Sequence, residues 1–192
     1  NCQAIYYRYR NGFDDTQVSM AVVVQKMISA NKAGVIFTVD PVSHNPYQMV
    51  IEGVYGLGEG IVSGSITPDH FKIDRETMEI RFKYIAPKAM MITKSNICGC
   101  IEAPIPNDLK NQPVLNEQEL ELLVNIGNRV ETHFGSPQDI EWAMDAERRL
   151  WLLQSRPLRM AAFSEEGALP PVEGYPLLLE GGDTAFPGVG SG

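Results

Sequence analysis

The stretch QDIEWAMDAERRLWLLQSRP, residues 138 to 157, restricts the fold more than any other part of the chain. Two runs of alternating side chains flank a charged segment, which is the pattern of an antiparallel strand pair joined by a tight turn. In the first run Ile140, Trp142 and Met144 share one face, and Asp139, Glu141 and Ala143 share the other. In the second, Trp151 and Leu153 alternate with Leu152, Gln154 and Arg156. Placing Asp145 opposite Leu150 across the turn sets Glu141 opposite Gln154 and Asp139 opposite Arg156. Directly opposed residues have Cβ atoms about 5 Å apart, so four polar groups converge in one patch. Two chemistries fit that patch. One is a cross-strand ion pair on a solvated sheet face. The other is a cation site, because carboxylates and an amide oxygen are hard donors suited to Mg²⁺, which leaves its remaining positions to phosphate and water. Arg156 beside them is suited to gripping a phosphate through two hydrogen bonds.

The rest of the chain reads as more strands and one long helix. VSMAVVVQKMI, residues 18 to 28, is an apolar run expected as a buried strand, adjacent to a second one over AGVIFTVDP, residues 33 to 41. Residues 48 to 74 read as a strand, a Gly-rich connection and a strand from about Asp69 to Asp74. MEIRFKYIA, residues 78 to 86, answers that strand in a hairpin. A helix is expected from about Glu117 to Phe134, with Asn116 as N-cap, Glu119 completing a capping box, a Leu115/Leu120 staple and Gly135 at its end. Its predicted core stripe is Leu120, Leu123, Ile126, Val130 and Phe134. The order gives an α+β class, mostly antiparallel sheet with flanking helices.

Composition narrows the partners. The net charge is −8 and the basic residues are scattered, which disfavours nucleic acid. No apolar run approaches the roughly 20 residues of a bilayer span, and no signal-peptide pattern opens the chain, so a cytoplasmic protein without a membrane partner is expected. Cys2, Cys98 and Cys100 are odd in number, consistent with reduced thiols, and the Cys98-Gly99-Cys100 pair lacks a second cluster of metal ligands. His133 is expected near a helix C-terminus, and His44 and His70 in a loop and at a strand edge.

Five motifs in order carry a resemblance to a known family: VVVQKM (22–27), AGVIFTVDPVS (33–43), GLGEGIVSGSITPDHF (56–71), SPQDIEWAM followed by LWLLQSRP (136–157), and GGDTAFPGVGSG (181–192). The chain resembles the C-terminal part of the ATP-grasp nucleotide-binding domain in the phosphoenolpyruvate synthase and pyruvate phosphate dikinase family. The resemblance implies a subdomain over residues 1–160, a linker over 161–180, and the start of a phosphohistidine swivelling domain at 181–192. It implies ATP and Mg²⁺ as cofactors, with Glu141 and Gln154 holding the metal, Arg156 on nucleotide phosphate and Asp139 in support. Glu141 and Arg156 would act in catalysis, Gln25, Lys26 and Met27 would run along the adenine, and Thr38 and Glu59 would line the site. Without it, Thr38 is an ordinary strand residue and the glycines around Glu59 a flexible turn.

The family's reaction moves a phosphoryl group from ATP to a histidine on a mobile domain and then to an acceptor such as pyruvate, with AMP as the final nucleotide product. Metal and arginine serve by neutralising charge and fixing an in-line geometry. The resemblance places a lysine and an arginine of the site in a subdomain ahead of CQAIYYRYR and the carrier histidine beyond Gly192. A piece of a longer enzyme, inactive alone, is therefore expected. EWAMDAERRLWLLQSRP is closer to the synthase and rifamycin-phosphotransferase types than to the phosphate dikinases. A nucleotide-binding module whose parent has lost catalysis is the alternative of another class.

Overall fold

In the computed structural model the described residues are 2–10, 12–13, 22–95 and 99–158. The proposed linker and the GGDTAFPGVGSG segment lie outside them. Helix α1 (Cys2–Arg10), not anticipated from the sequence, is followed by β1 (Lys32–Phe37), β2 (Gln48–Tyr55), the single turn α2 (Glu59–Val62), β3 (Asp69–Asp74) and β4 (Ile80–Tyr84). Then come β5 (Met90–Lys94), β6 (Cys100–Pro104), α3 (Glu117–Phe134), β7 (Gln138–Met144) and β8 (Leu150–Pro157). Six strands form one sheet in the order β4-β3-β2-β1-β7-β8, and β5 and β6 pair in a small second sheet; among the described residues every strand pairing is antiparallel, and one isolated parallel bridge joins Gly56 to Ile92. The mostly antiparallel α+β class read from the sequence is the observed one.

One face of the large sheet carries the core. Ile36, Met49, Ile51, Phe71, Ile73, Ile140, Trp142 and Met144 alternate onto it and meet Leu120, Leu123 and Val124 of α3. The helix begins as its sequence requires. Asn116 accepts from the Glu119 N–H at 2.9 Å, the Glu119 carboxylate accepts from the Asn116 N–H at 3.0 Å, and Gly135 closes the last turn in the left-handed region at φ 68°. The predicted core stripe is corrected at its far end. Phe134 is 57% exposed, while Val124 and Gly127 are buried. Gly127 explains the rotation: a Cβ there would lie 2.8 Å from the Met49 side chain, so the helix packs closely on the sheet at that glycine.

The expected strand at 18–28 is the larger correction. Residues 22–30 have no regular structure, and Val22, Val23 and Val24 are 84%, 84% and 95% exposed; residues 14–21 lie outside the described set. The reason is that β1 already pairs with β2 on one side and β7 on the other, so neither edge of β1 has a free ladder. An apolar run rich in valine met the compositional criterion for a strand but found no partner.

Candidate functional site

The second face of the sheet is where the polar residues gather. Register places Gln154, Glu141, Val35, Glu52, His70 and Tyr84 in one row running across all six strands. Arg156, Asp139, Phe37, Val50, Lys72 and Phe82 form the next row. Glu141 therefore stands directly opposite Gln154, and Asp139 opposite Arg156, on the face away from α3.

The route to that pairing differs from the one expected. At the turn the register is shifted by one residue, with Met144 rather than Asp145 opposite Leu150. The Asp145 carboxylate is drawn into the turn instead, accepting from the backbone N–H of Glu147 at 3.1 Å and of Arg149 at 2.9 Å, and from Arg149 Nε at 2.8 Å. A bulge between Trp142 and Glu141 then leaves Leu153 as an extra residue on β8 and moves the register by one. The bulge brings Glu141 to Gln154 and Asp139 to Arg156.

Glu141 and Gln154 open on a cavity of about 270 Å³ that is also lined by Gln25, Lys26, Met27, Ile28, Leu57, Gly58 and Leu153. An adjoining cavity of about 300 Å³ shares Met27, Leu57, Gly58, Leu153 and Glu141 and adds Glu59, Ile61 and Val62. The walls are mainly apolar and the polar groups few and convergent, as in small-molecule sites. Of the residues singled out in the sequence, Gln25, Lys26, Met27, Glu59, Glu141 and Gln154 are brought together here. Gln25 donates to the carbonyl of the bulged Leu153 at 3.2 Å. The Glu59 carboxylate hydrogen-bonds the Cys100 thiol and pushes it above the ordinary thiol range, with burial and the Glu59 charge acting in the same direction.

Thr38, Asp139 and Arg156 are placed apart from the cavity walls. Thr38 is fully buried and its hydroxyl accepts the Gln138 N–H at 2.9 Å, so it ties β1 to β7. Arg156 is gripped by Asp139, with Nε at 2.8 Å and Nη2 at 2.7 Å from the same oxygen. That hydrogen bond, then the Asp139 charge, hold the guanidinium more firmly protonated, and the nearby Glu141 charge adds to this. The Arg156 side chain remains 66% exposed, so the pair fixes its stem while leaving a face open. His70 is the second residue of β3, near the start of the strand, and its Nδ1 lies 3.0 Å from Glu52.

The donors at the hairpin are one carboxylate and one amide oxygen, with no cluster of three His, Cys, Asp or Glu among the described residues. Such a sparse hard set fits Mg²⁺ carried in with phosphate rather than a caged metal. The apolar lining contributed by Leu57, Ala143 and Leu153 was not legible in advance, since periodicity marks such residues only as packing.

The sequence model described as the pyruvate phosphate dikinase AMP/ATP-binding domain matches residues 1–171. The chain belongs to that family. Among curated relatives, a probable phosphoenolpyruvate synthase of Methanocaldococcus jannaschii is 44% identical over 81% of the chain and 13% of the relative. One from Archaeoglobus fulgidus is 41% identical over 99% of the chain and 25% of the relative. A rifampicin phosphotransferase of Bacillus cereus is 40% identical over 81% of the chain and 18% of the relative. The chain thus spans about a quarter or less of the length of these relatives. Nucleotide binding is the property that the domain family carries. No helix among the described residues is long and apolar enough to cross a membrane.

Proposed function

We propose that this chain supplies the ATP-binding lobe of a phosphoenolpyruvate-synthase-type phosphotransferase of the ATP-grasp kind. In this reading Glu141 and Gln154 hold Mg²⁺, which when bound would screen the triphosphate charge. Arg156, oriented by Asp139, reaches the phosphates with its open face. Gln25, Lys26 and Met27 line the base end of the cavity and Glu59 its margin. The intact protein would pass a phosphoryl group from ATP to a histidine on a further domain and then to pyruvate, releasing AMP and phosphate. The observation that carries the reading is the pairing of Glu141 with Gln154 on the wall of the cavity that segment 25–28 also lines.

Preorganised charge is most of what phosphoryl transfer asks of a protein, and a carboxylate, an amide and a guanidinium in adjacent rows supply it. Rifampicin phosphotransferases share 40% identity with this chain, so a rifamycin acceptor is the second reading. The test is the full-length protein with ATP and Mg²⁺, following AMP with pyruvate or a rifamycin as acceptor. AMP formed only with pyruvate supports the synthase; AMP formed only with the rifamycin replaces it with the second reading. ATP binding without turnover on either would indicate a nucleotide-binding module.

A further inference from the structure

Residues 25–28 and 30 of segment 22–30 line the cavity, yet the segment belongs to no ladder, and its side chains from Val22 to Met27 are exposed. Among the described residues its placement therefore rests on a few anchors. Asn31 N–H donates to the Met144 carbonyl at 2.8 Å just beyond it, and Gln25 reaches the Leu153 carbonyl. The third anchor is Lys26, whose ammonium lies 5.8 Å from the centroid of the Trp151 ring.

Trp151 is itself held. Its indole N–H donates to Asp145 Oδ2 at 3.0 Å, the carboxylate that also organises the β7–β8 turn, and the Arg149 guanidinium lies 5.9 Å from the same ring. A line of contacts thus runs from the Asp145 turn through Trp151 to Lys26 and the cavity wall. It touches neither Glu141 nor Gln154 directly.

We propose that Trp151 is a positioning residue for the nucleotide: by seating Lys26 it sets segment 25–28 against the purine, so that affinity at the base end is governed separately from the metal end. The proposal rests on the nucleotide reading of the cavity. An aromatic ring is required because the attraction is between the cation and the ring face, so tyrosine would preserve it and leucine would not.

The experiment uses the full-length protein. Trp151→Leu is expected to raise the KM for ATP about tenfold with kcat within about twofold, the range a lost cation–π contact allows. Inhibition by inorganic tripolyphosphate, which has no base, should be unchanged, and Trp151→Tyr should restore most of the ATP affinity. A readout independent of activity is trypsin cleavage after Lys26, which should accelerate several-fold in Trp151→Leu and return towards the parent rate in Trp151→Tyr. Equal loss of tripolyphosphate and ATP binding, a fall in kcat alone, or a tyrosine variant as impaired as leucine would overturn the role of Trp151. Parent protein that does not saturate with ATP would instead overturn the nucleotide reading on which it stands.

Discussion

Asp69 and Lys88 form an ion pair sealed from solvent, with Lys88 Nζ 2.6 Å from Asp69 Oδ1 and side-chain exposures of 4% and 0%. The Asp69 carboxylate also accepts the backbone N–H of Ala86 at 2.9 Å and of Val114 at 2.7 Å, and Lys88 donates to the Ala86 and Gln112 carbonyls. One buried pair therefore staples the segments that leave β4 and enter α3 onto β3. Removing one partner leaves the other charged and desolvated. Lys88→Met should destabilise the chain by roughly 3–5 kcal/mol, measured as a lowered urea midpoint at constant m-value. A loss below about 1 kcal/mol would mean that the backbone donors alone satisfy Asp69.

Two glycines facing the same core should respond differently to the same methyl. A Cβ on Gly34 would lie 1.9 Å from the Glu52 carbonyl oxygen and 2.7 Å from the Trp142 ring, both in the middle of the sheet. A Cβ on Gly127 meets chiefly the flexible end of Met49, at 2.8 Å, with Ile36 Cγ2 at 3.4 Å. Gly34→Ala should cost about 3 kcal/mol or more, because a paired backbone has to move, whereas Gly127→Ala should stay near or below about 1 kcal/mol as Met49 turns aside. Thermal melts of the two variants decide it; equal costs would show that the β1–β2 pair yields more than its register implies.

Acid should unfold the chain through Asp40. Burial raises its pKa, but hydrogen bonds from Lys72 at 2.6 Å and from the Val42 and Ser43 N–H groups outweigh burial and bring it to about 2. A depressed folded pKa contributes stability above the unfolded value of 3.8 that disappears as pH falls towards 2. Asp145, also brought to about 2, acts in the same window. Lys72→Gln should move the onset of acid unfolding, followed by circular dichroism, to higher pH. An unchanged acid limb would remove Asp40 from the account.

At the hairpin, Glu141→Gln and Gln154→Ala should leave the melting temperature within about 2 °C, since neither group joins the buried core. In the full-length protein each should lower kcat/KM for ATP by about a hundredfold or more, as loss of a charge-stabilising group does. Excess Mg²⁺ should partly rescue Gln154→Ala. Activity held within a few-fold in both variants would return the patch to a plain cross-strand contact.

Strand by strand, the sequence was legible where one face is oily and the other wet. β3, α3 with its capping box, and the hairpin of β7 and β8 follow from alternation, the 3.6-residue period and turn chemistry. These are local signals, and they place Glu141 and Asp139 on the face opposite Trp142 without any knowledge of the fold. Residues 90–104 gave no such signal, and the small β5–β6 sheet went unforeseen.

Tertiary structure decided what local pattern cannot express. Whether VVV at 22–24 becomes a strand depends on a vacant edge, and β2 and β7 had taken both edges of β1. Whether Thr38 faces the cavity depends on which hydroxyl partner lies across the sheet, and Gln138 claims it. Whether Glu141 meets Gln154 depended on a one-residue register shift at the turn and a compensating bulge, two irregularities that cancel. Side-chain alternation is a property of one strand and can be read from its residues. Pairing is a competition among distant segments for the same hydrogen bonds, and only the folded chain records which segment won.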